Sequence, residues 1–588
     1  MHRALRAGSW TVELGARGDL CSLRLGEEEV LRGLAGVVRD ADWGTVRGDV
    51  SIEGLVADES SFSLTVRSRH QREDFDFSWT GVLTGTPDSI VRYTFDGVAL
   101  RPLRSNRIGL VALHSPNWSA RPVRITHTDG RIEDSVYPDL VSPHQPFFSI
   151  ASMQQTGAAG TIIEMEFAGD EFETEDQRNW SDASYKTYSR PLALPFPFEF
   201  AAGDEVHQSI TLRAHGALPA PARSETSPVT VTVGDGSAPW PRIGVGLAGG
   251  VRGTAADASL QRIRPAWVRT DVHLDSDGVL HDSDLVARAS ALGIPVELAL
   301  TVADPPPPDS SELAELIGRT EIAHVLIYTE GAPSTSAGSV ECVRAALPAD
   351  SGKAPLLIAG TDGNLAELNR FPPDVDKIDG LTFSLNPQVH DSSERAVMQT
   401  IEAYPAMIDT VRATRLGRRS VSGGDERLSV TVSPVTLKPR RNLYATQPES
   451  PTAPDTPSPA SIDTRQSRSF TAAWTAVALG SLATCQVDRV TFFEEAGPRG
   501  IASDEGDPYE VYGVLKVAMD ARHAVPHSSS DPSVVDGFVV RTVDDRTVAV
   551  LANTTAVPQS IRLSGFAAST VHRTIEPYSV IIIDHGEL

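Results

Sequence analysis

Carboxylates that close short apolar runs are the first groups in this chain with a chemical use. Glu330 follows Val325–Tyr328 by way of Thr329 and precedes Gly331. Glu494 and Glu495 follow Val490–Phe493. At the tip of a buried strand, desolvation raises a carboxyl pKa toward the range where it works as a general acid or base. Glu494 and Glu495 are adjacent, so only one of them can point inward along a strand, with the lean to Glu494. Glu330 and that glutamate would be two acids across one hollow, and we read Glu330, Glu494 and His390 as the catalytic set. Such a pair can share general acid and general base work, the arrangement that glycosidases use.

Other strand ends carry binding groups. Asp271, His273 and Asp275 alternate on one strand. Asp and His suit a divalent metal, but there is no His-x-His and no second histidine cluster. No cofactor is expected, and metal is the lesser reading. Asp271 and His273 are better placed to orient substrate hydroxyls. Asn386, Gln388 and His390 can bind sugar hydroxyls or donate to an oxyanion. Lys438 and Arg440 are the local cations for a carboxylate or a developing oxyanion, and Glu495 is kept as a substrate contact. Outside these strands, Ser142–Phe148 and Asp176–Lys186 are dense in polar and aromatic groups, with Trp180 or Tyr185 as a stacking face for a sugar.

These residues need a scaffold that gathers strand ends. Eight apolar runs supply one: Ile243–Leu247, Trp267–Val272, Val296–Thr301, His324–Tyr328, Leu356–Ala359, Leu381–Leu385, Leu428–Val432 and Val490–Phe493. Helical patterns lie between them, such as Asp282–Leu292 ending at Gly293. Eight strands alternating with helices spell a (β/α)8 barrel, whose active sites lie at the carboxyl ends of its strands. An open doubly wound sheet is the rival, but no glycine-rich phosphate loop supports it. Before the barrel, Phe62–Val66, Phe75–Trp79, Val91–Phe95, Gly160–Phe167 and His207–Leu212 alternate as half-buried strands do. The fold class is therefore multidomain α/β plus β: an N-terminal β-sandwich over 1–230, a central barrel over 240–527 and a small antiparallel β-domain over 533–588. Leu218–Pro228 reads as a linker. The proline-rich run Gln447–Pro459 reads as a surface loop, as a lid over the barrel mouth or, more simply, as a disordered segment.

The composition narrows the partners. The 588 residues carry 52 Lys+Arg against 77 Asp+Glu, a net charge of −25, which repels phosphate backbones and anionic lipid. Neither nucleic acid nor membrane is expected as a partner; a small neutral substrate, or an anion held by a few local cations, is, and the oligomeric state is left open. Cys21, Cys342 and Cys485 are scattered, without metal-ligand spacing. With no apolar signal segment after Met1 and no long apolar run, the expectation is a reduced, cytoplasmic protein.

Several runs also resemble one family, the D-apionate lactonases of apiose catabolism. They are His127–Gly130, Pro138–Phe148, Asp176–Tyr188, Pro191–Pro195, Ser384–His390, Ser433–Leu437, Arg465–Gln466 and Thr491–Glu494 with Gly497 and Arg499–Gly500. The resemblance implies a β-domain, a (β/α)8 barrel and a second β-domain, and hydrolysis of the lactone of a branched sugar acid. A glycoside hydrolase using the two carboxylates, and a non-catalytic carbohydrate-binding protein, are the other readings.

Overall fold

The structure is a computed structural model of the chain. It describes residues 3–587 except 159, 221–226, 250–253, 349–353, 414–417, 422–423, 441–457 and 568. Most of the proline-rich run expected over Gln447–Pro459 lies outside the described residues. The chain forms two compact units. The first takes the described residues up to Arg178 and again from Ala183 to 220; the second takes Asn179–Asp182 and the described residues from 227 onward.

The first unit is all β, with a long antiparallel sheet of 16 strands. Phe62–Arg72, Phe75–Thr86 and Ile90–Ala99 are consecutive neighbours in it, and their buried residues alternate along each strand as the sequence pattern requires. Inward rings fill its core: Trp79 stacks on Phe95 at 4.9 Å between centroids, and the Trp10 indole donates to the Ser89 carbonyl.

The second unit holds the barrel. Its strands are β1 (Arg242–Gly246), β2 (Val268–Leu274), β3 (Val296–Val302), β4 (Ile322–Thr329), β5 (Leu356–Gly360), β6 (Gly380–Leu385), β7 (Ser429–Val435) and β8 (Arg489–Glu494). Each is parallel to its neighbours, and β1 pairs with both β2 and β8, which closes the ring. The eight apolar runs are these eight strands. They read as unbroken runs because a barrel strand packs side chains inside the ring and under helices outside it. The helix Ser469–Thr484 between β7 and β8 is buried almost all round. One of its contacts is with the strand Val535–Thr542 of the C-terminal domain. A Cβ on Gly480 would lie 2.0 Å from the Gly537 carbonyl oxygen, so backbone meets backbone there and only glycine fits.

The C-terminal domain is a sandwich of two four-stranded sheets around Val231, Val535, Leu551, Leu563 and Ile575. One correction concerns its make-up. Val229 and Thr230, the last residues of the N-terminal span given above, belong to the strand Val229–Val233, which pairs in parallel with Gln559–Ser564 and antiparallel with His527–Ser529. The chain thus lays one strand of the last domain before it enters the barrel, and the sheet is not wholly antiparallel.

Candidate active site

At the carboxyl ends of β7, β8, β1 and β2 the barrel opens into a small hollow. Its wall is made by Gly246, Leu247, Arg269, Asp271, Pro434, Thr436, Arg440, Phe493, Glu494 and Arg499. Glu494 owes its place to local backbone geometry. Between β1 and β8, Val245 pairs with Phe492 but Gly246 with Glu494, so Phe493 is bulged, with φ of 46°. A bulge re-aims the residue that follows it. Gly246 keeps that side open: a Cβ there would sit 2.8 Å from the Phe493 carbonyl oxygen and 3.7 Å from Glu494 Cγ.

The cavity pairs its acids with guanidiniums. Arg499 forks onto Glu494, with Nη2 2.5 Å from Oε1 and Nε 3.2 Å from Oε2, and its Nη1 donates to Ser461 Oγ at 3.2 Å. Asp271 lies between two cations: Arg269 Nη2 donates to Oδ1 at 2.7 Å and Arg440 Nη2 to Oδ2 at 2.7 Å. Burial would raise the Asp271 pKa, but Arg269 and Arg440 outweigh it and hold the carboxyl well below the usual carboxylate range. Asp271 is therefore an ionised anchor and not a proton carrier at neutral pH. Arg269 is 1% exposed and also donates to Asp362 Oδ1 at 2.8 Å.

Glu495 points elsewhere. Its Oε1 takes Arg288 Nη1 at 2.7 Å and its Oε2 takes the Ala248 N–H at 2.6 Å. It does not line the cavity, which corrects its assignment as a substrate contact. Burial pushes its pKa up from 4.5 to about 7 against the opposing pull of Arg288. The folded chain then binds more protons than the unfolded chain across that window, so this group's share of stability falls as pH rises through it. Relative to Glu495→Gln, the wild type should lose on the order of 3 kcal/mol between pH 4.5 and 7. Denaturant unfolding of both proteins at several pH values checks this, and parallel pH curves would refute it.

The other expected residues are spread around the mouth. Glu330 stands just past the end of β4, but its side chain is 57% exposed and outside the cavity wall. The desolvated setting expected for it is corrected accordingly: the turn after Thr329 carries the side chain into solvent. Its Oε2 is 3.5 Å from Nε2 of His273, whose ring stacks on His281 at 5.8 Å. Asn386 is buried, donates to Asn364 Oδ1 at 3.1 Å and accepts Ser181 Oγ on its carbonyl at 2.8 Å. Gln388 donates to the Leu437 carbonyl and to Asp463 Oδ2, both at 2.6 Å. Asn386 Oδ1 and Gln388 Oε1 are buried acceptors with no partner among the described residues. His390 Nδ1 meets Asp182 Oδ2 at 2.6 Å, and Trp180 stands edge-on to its ring at 5.9 Å. The Arg370 guanidinium lies over one face of the Trp180 ring at 5.0 Å. Tyr185 is fully buried in the first unit, under Arg178.

Some site residues were missed. Arg269 and Arg499 carry cations into the cavity, and Asp182 orients His390. Arg269 had a signal, a basic residue inside the run Trp267–Val272 two positions before Asp271; Arg499 and Asp182 had none by spacing. Among the described residues, no group of three or more His, Cys, Asp or Glu is placed to hold a metal, and no helix is long and apolar enough to cross a membrane.

A closed parallel barrel with a charged cavity at the carboxyl ends of its strands, flanked in sequence by β-domains, defines a TIM-barrel enzyme. The chain belongs to the D-apionate lactonase family: residues 1–217 match that family's N-terminal domain, 243–524 its TIM barrel domain and 532–583 its C-terminal immunoglobulin-like domain. The D-apionate lactonase of Brucella anthropi is 29% identical over 610 residues, covering 98% of this chain and 96% of that one. Among solved structures, the GH51 arabinofuranosidase from Xanthomonas axonopodis pv. citri is 14% identical with a TM-score of 0.40, over 61% of this chain and 94% of that one. The GH30 endoxylanase from Clostridium papyrosolvens C71 is 12% identical with a TM-score of 0.37, over 61% of this chain and 100% of that one.

Proposed function

We propose that this chain hydrolyses the lactone of a branched sugar acid, D-apionolactone to D-apionate, in the cavity at the ends of β7, β8, β1 and β2. The observation that carries the reading is one hollow that joins the Glu494 carboxylate to the guanidiniums of Arg440 and Arg499. Glu494 takes a proton from water, and the hydroxide adds to the lactone carbonyl carbon. The Arg440 guanidinium, with one N–H on Asp271 among the described residues, has further N–H groups to donate to the oxyanion. The bond from the carbonyl carbon to the ring oxygen then breaks. That oxygen recovers the proton from Glu494, and the new acid ionises beside Arg440 and Arg499. Asn386 and Gln388 lie outside the cavity wall with their unpartnered acceptors buried, so they make no contact with a substrate held there, while His273 and Glu330 form a polar rim.

Asp271 weighs against a glycosidase. That chemistry needs a carboxylic acid that is still protonated at working pH to release the leaving sugar. Asp271, held ionised by two guanidiniums, cannot be that acid, and Glu494, the other acid of the wall, is forked by Arg499.

Pure protein tested against aldonolactones and aryl glycosides, with and without chelator, decides between the readings. Lactone opening followed by proton release, indifferent to chelator and without glycoside cleavage, is expected. Aryl glycoside cleavage alone would replace the proposal, and sugar-dependent thermal stabilisation without turnover would make the chain a binding protein. Glu330→Gln should change kcat by no more than about threefold, because an exposed charge acts on the cavity through screened solvent; a larger loss would return Glu330 to the catalytic set.

A further inference from the structure

Barrel interiors are commonly filled with apolar layers, yet directly below the cavity this one holds a buried carboxylate. Glu297 on β3 is 0% exposed. Its Oε1 accepts Ser433 Oγ at 2.5 Å and Thr491 Oγ1 at 2.9 Å, and its Oε2 meets His324 Nε2 at 2.7 Å. The Trp267 indole N–H donates to Thr491 Oγ1 at 2.9 Å. A buried charge costs stability even when paired, and an apolar layer of the same volume is often no worse. The layer therefore calls for a use beyond filling space.

Counting hydrogens supplies one. An ionised carboxylate can only accept, so the single hydroxyl hydrogen of Ser433 goes to Glu297. The Ser433 oxygen is then left as an acceptor, and Arg269 Nη1 donates to it at 3.0 Å. With Nη1 fixed from below, Nη2 of the same rigid guanidinium reaches Asp271 Oδ1 and Asp362 Oδ1. We propose that Glu297 is a positioning residue: through Ser433 it aims Arg269 at Asp271 and so fixes the wall of the cavity. The inference rests on the reading of that cavity as the site of lactone opening.

Ser433→Ala tests the link without removing the buried charge. It should lower kcat about tenfold or more, as small misplacements in a site do, with KM changed little and the melting temperature close to wild type. Asp271 would lose part of the hold of Arg269, so the acid limb of the kcat profile should move to higher pH. The charged and titratable groups around Asp271 are Arg269, Arg440, Asp362 and Tyr328, with Glu494 and Arg499 along the same wall. Ser433→Thr, which keeps the hydroxyl, should restore most of the rate. Glu297→Gln keeps an acceptor for Ser433 without the charge and should fall between them.

A Ser433→Ala protein with wild-type kcat and pH profile overturns the proposal, as does one that loses only melting temperature. A crystal structure of Ser433→Ala gives a readout independent of the reaction. Arg269 displaced from Asp271 supports the relay, and Arg269 unmoved sinks it even if the wild type opens no lactone, a result that would by itself end the functional reading.

Discussion

Glu494→Gln should lower kcat for lactone opening by about 10^2 to 10^4, the usual contribution of a positioned general base. That corresponds to about 3–5 kcal/mol of lost transition-state stabilisation. KM should change little, because the amide keeps the size of the side chain and can still accept a hydrogen bond from Arg499 on its oxygen. What the amide lacks is the basic lone pair that takes a proton from water. Glu495→Gln is the natural control. It alters the adjacent residue by the same atom, but Glu495 is turned to Arg288 and the Ala248 N–H and stands outside the cavity. Steady-state kinetics of the two variants, with melting curves to confirm folding, should show the loss in the first and a near wild-type rate in the second. A Glu494→Gln enzyme turning over at the wild-type rate would remove the mechanism; the reverse pattern would move the base to Glu495.

The barrel was legible because its strands are buried on both faces, so each of the eight apolar runs could be read without knowing its neighbours. Val229–Val233 shows where such reading stops. Its alternation marks a strand, but its partners Gln559–Ser564 lie more than 300 positions away, and nothing local distinguishes them from the sandwich that precedes. The site divides in the same way. Glu494 and Arg440 follow strands, and the rule that barrel chemistry sits at strand ends finds them. The same rule found Glu330, but exposure depends on the turn after Thr329 and not on position along the strand. The choice between Glu494 and Glu495 rests on a bulge at Phe493, which no periodicity announces. Glu297 and Arg269 were visible as charges inside apolar runs. Their use was not, because it depends on which hydroxyl of another strand stands opposite.

Arg440→Ala is expected to lower kcat by about 10^2 to 10^3, the usual consequence of losing one oxyanion donor. Two effects are folded into that figure, and pH separates them. The donor that stabilises the tetrahedral oxyanion is lost at every pH, since a guanidinium does not titrate in the working range. The hold on Asp271 is lost differently. With Arg440 gone, only Arg269 opposes the effect of burial on that carboxyl, so its pKa rises. Asp271 serves as an ionised anchor, so activity falls as it takes up a proton, and a higher pKa brings that fall on at higher pH. The variant profile should therefore be lowered throughout and have its acid limb displaced upward. Arg440→Lys, which keeps the charge but not the fork, should recover the acid limb better than the plateau. A variant with both plateau and acid limb unchanged would take Arg440 out of the reaction and leave it a partner of Asp271 alone.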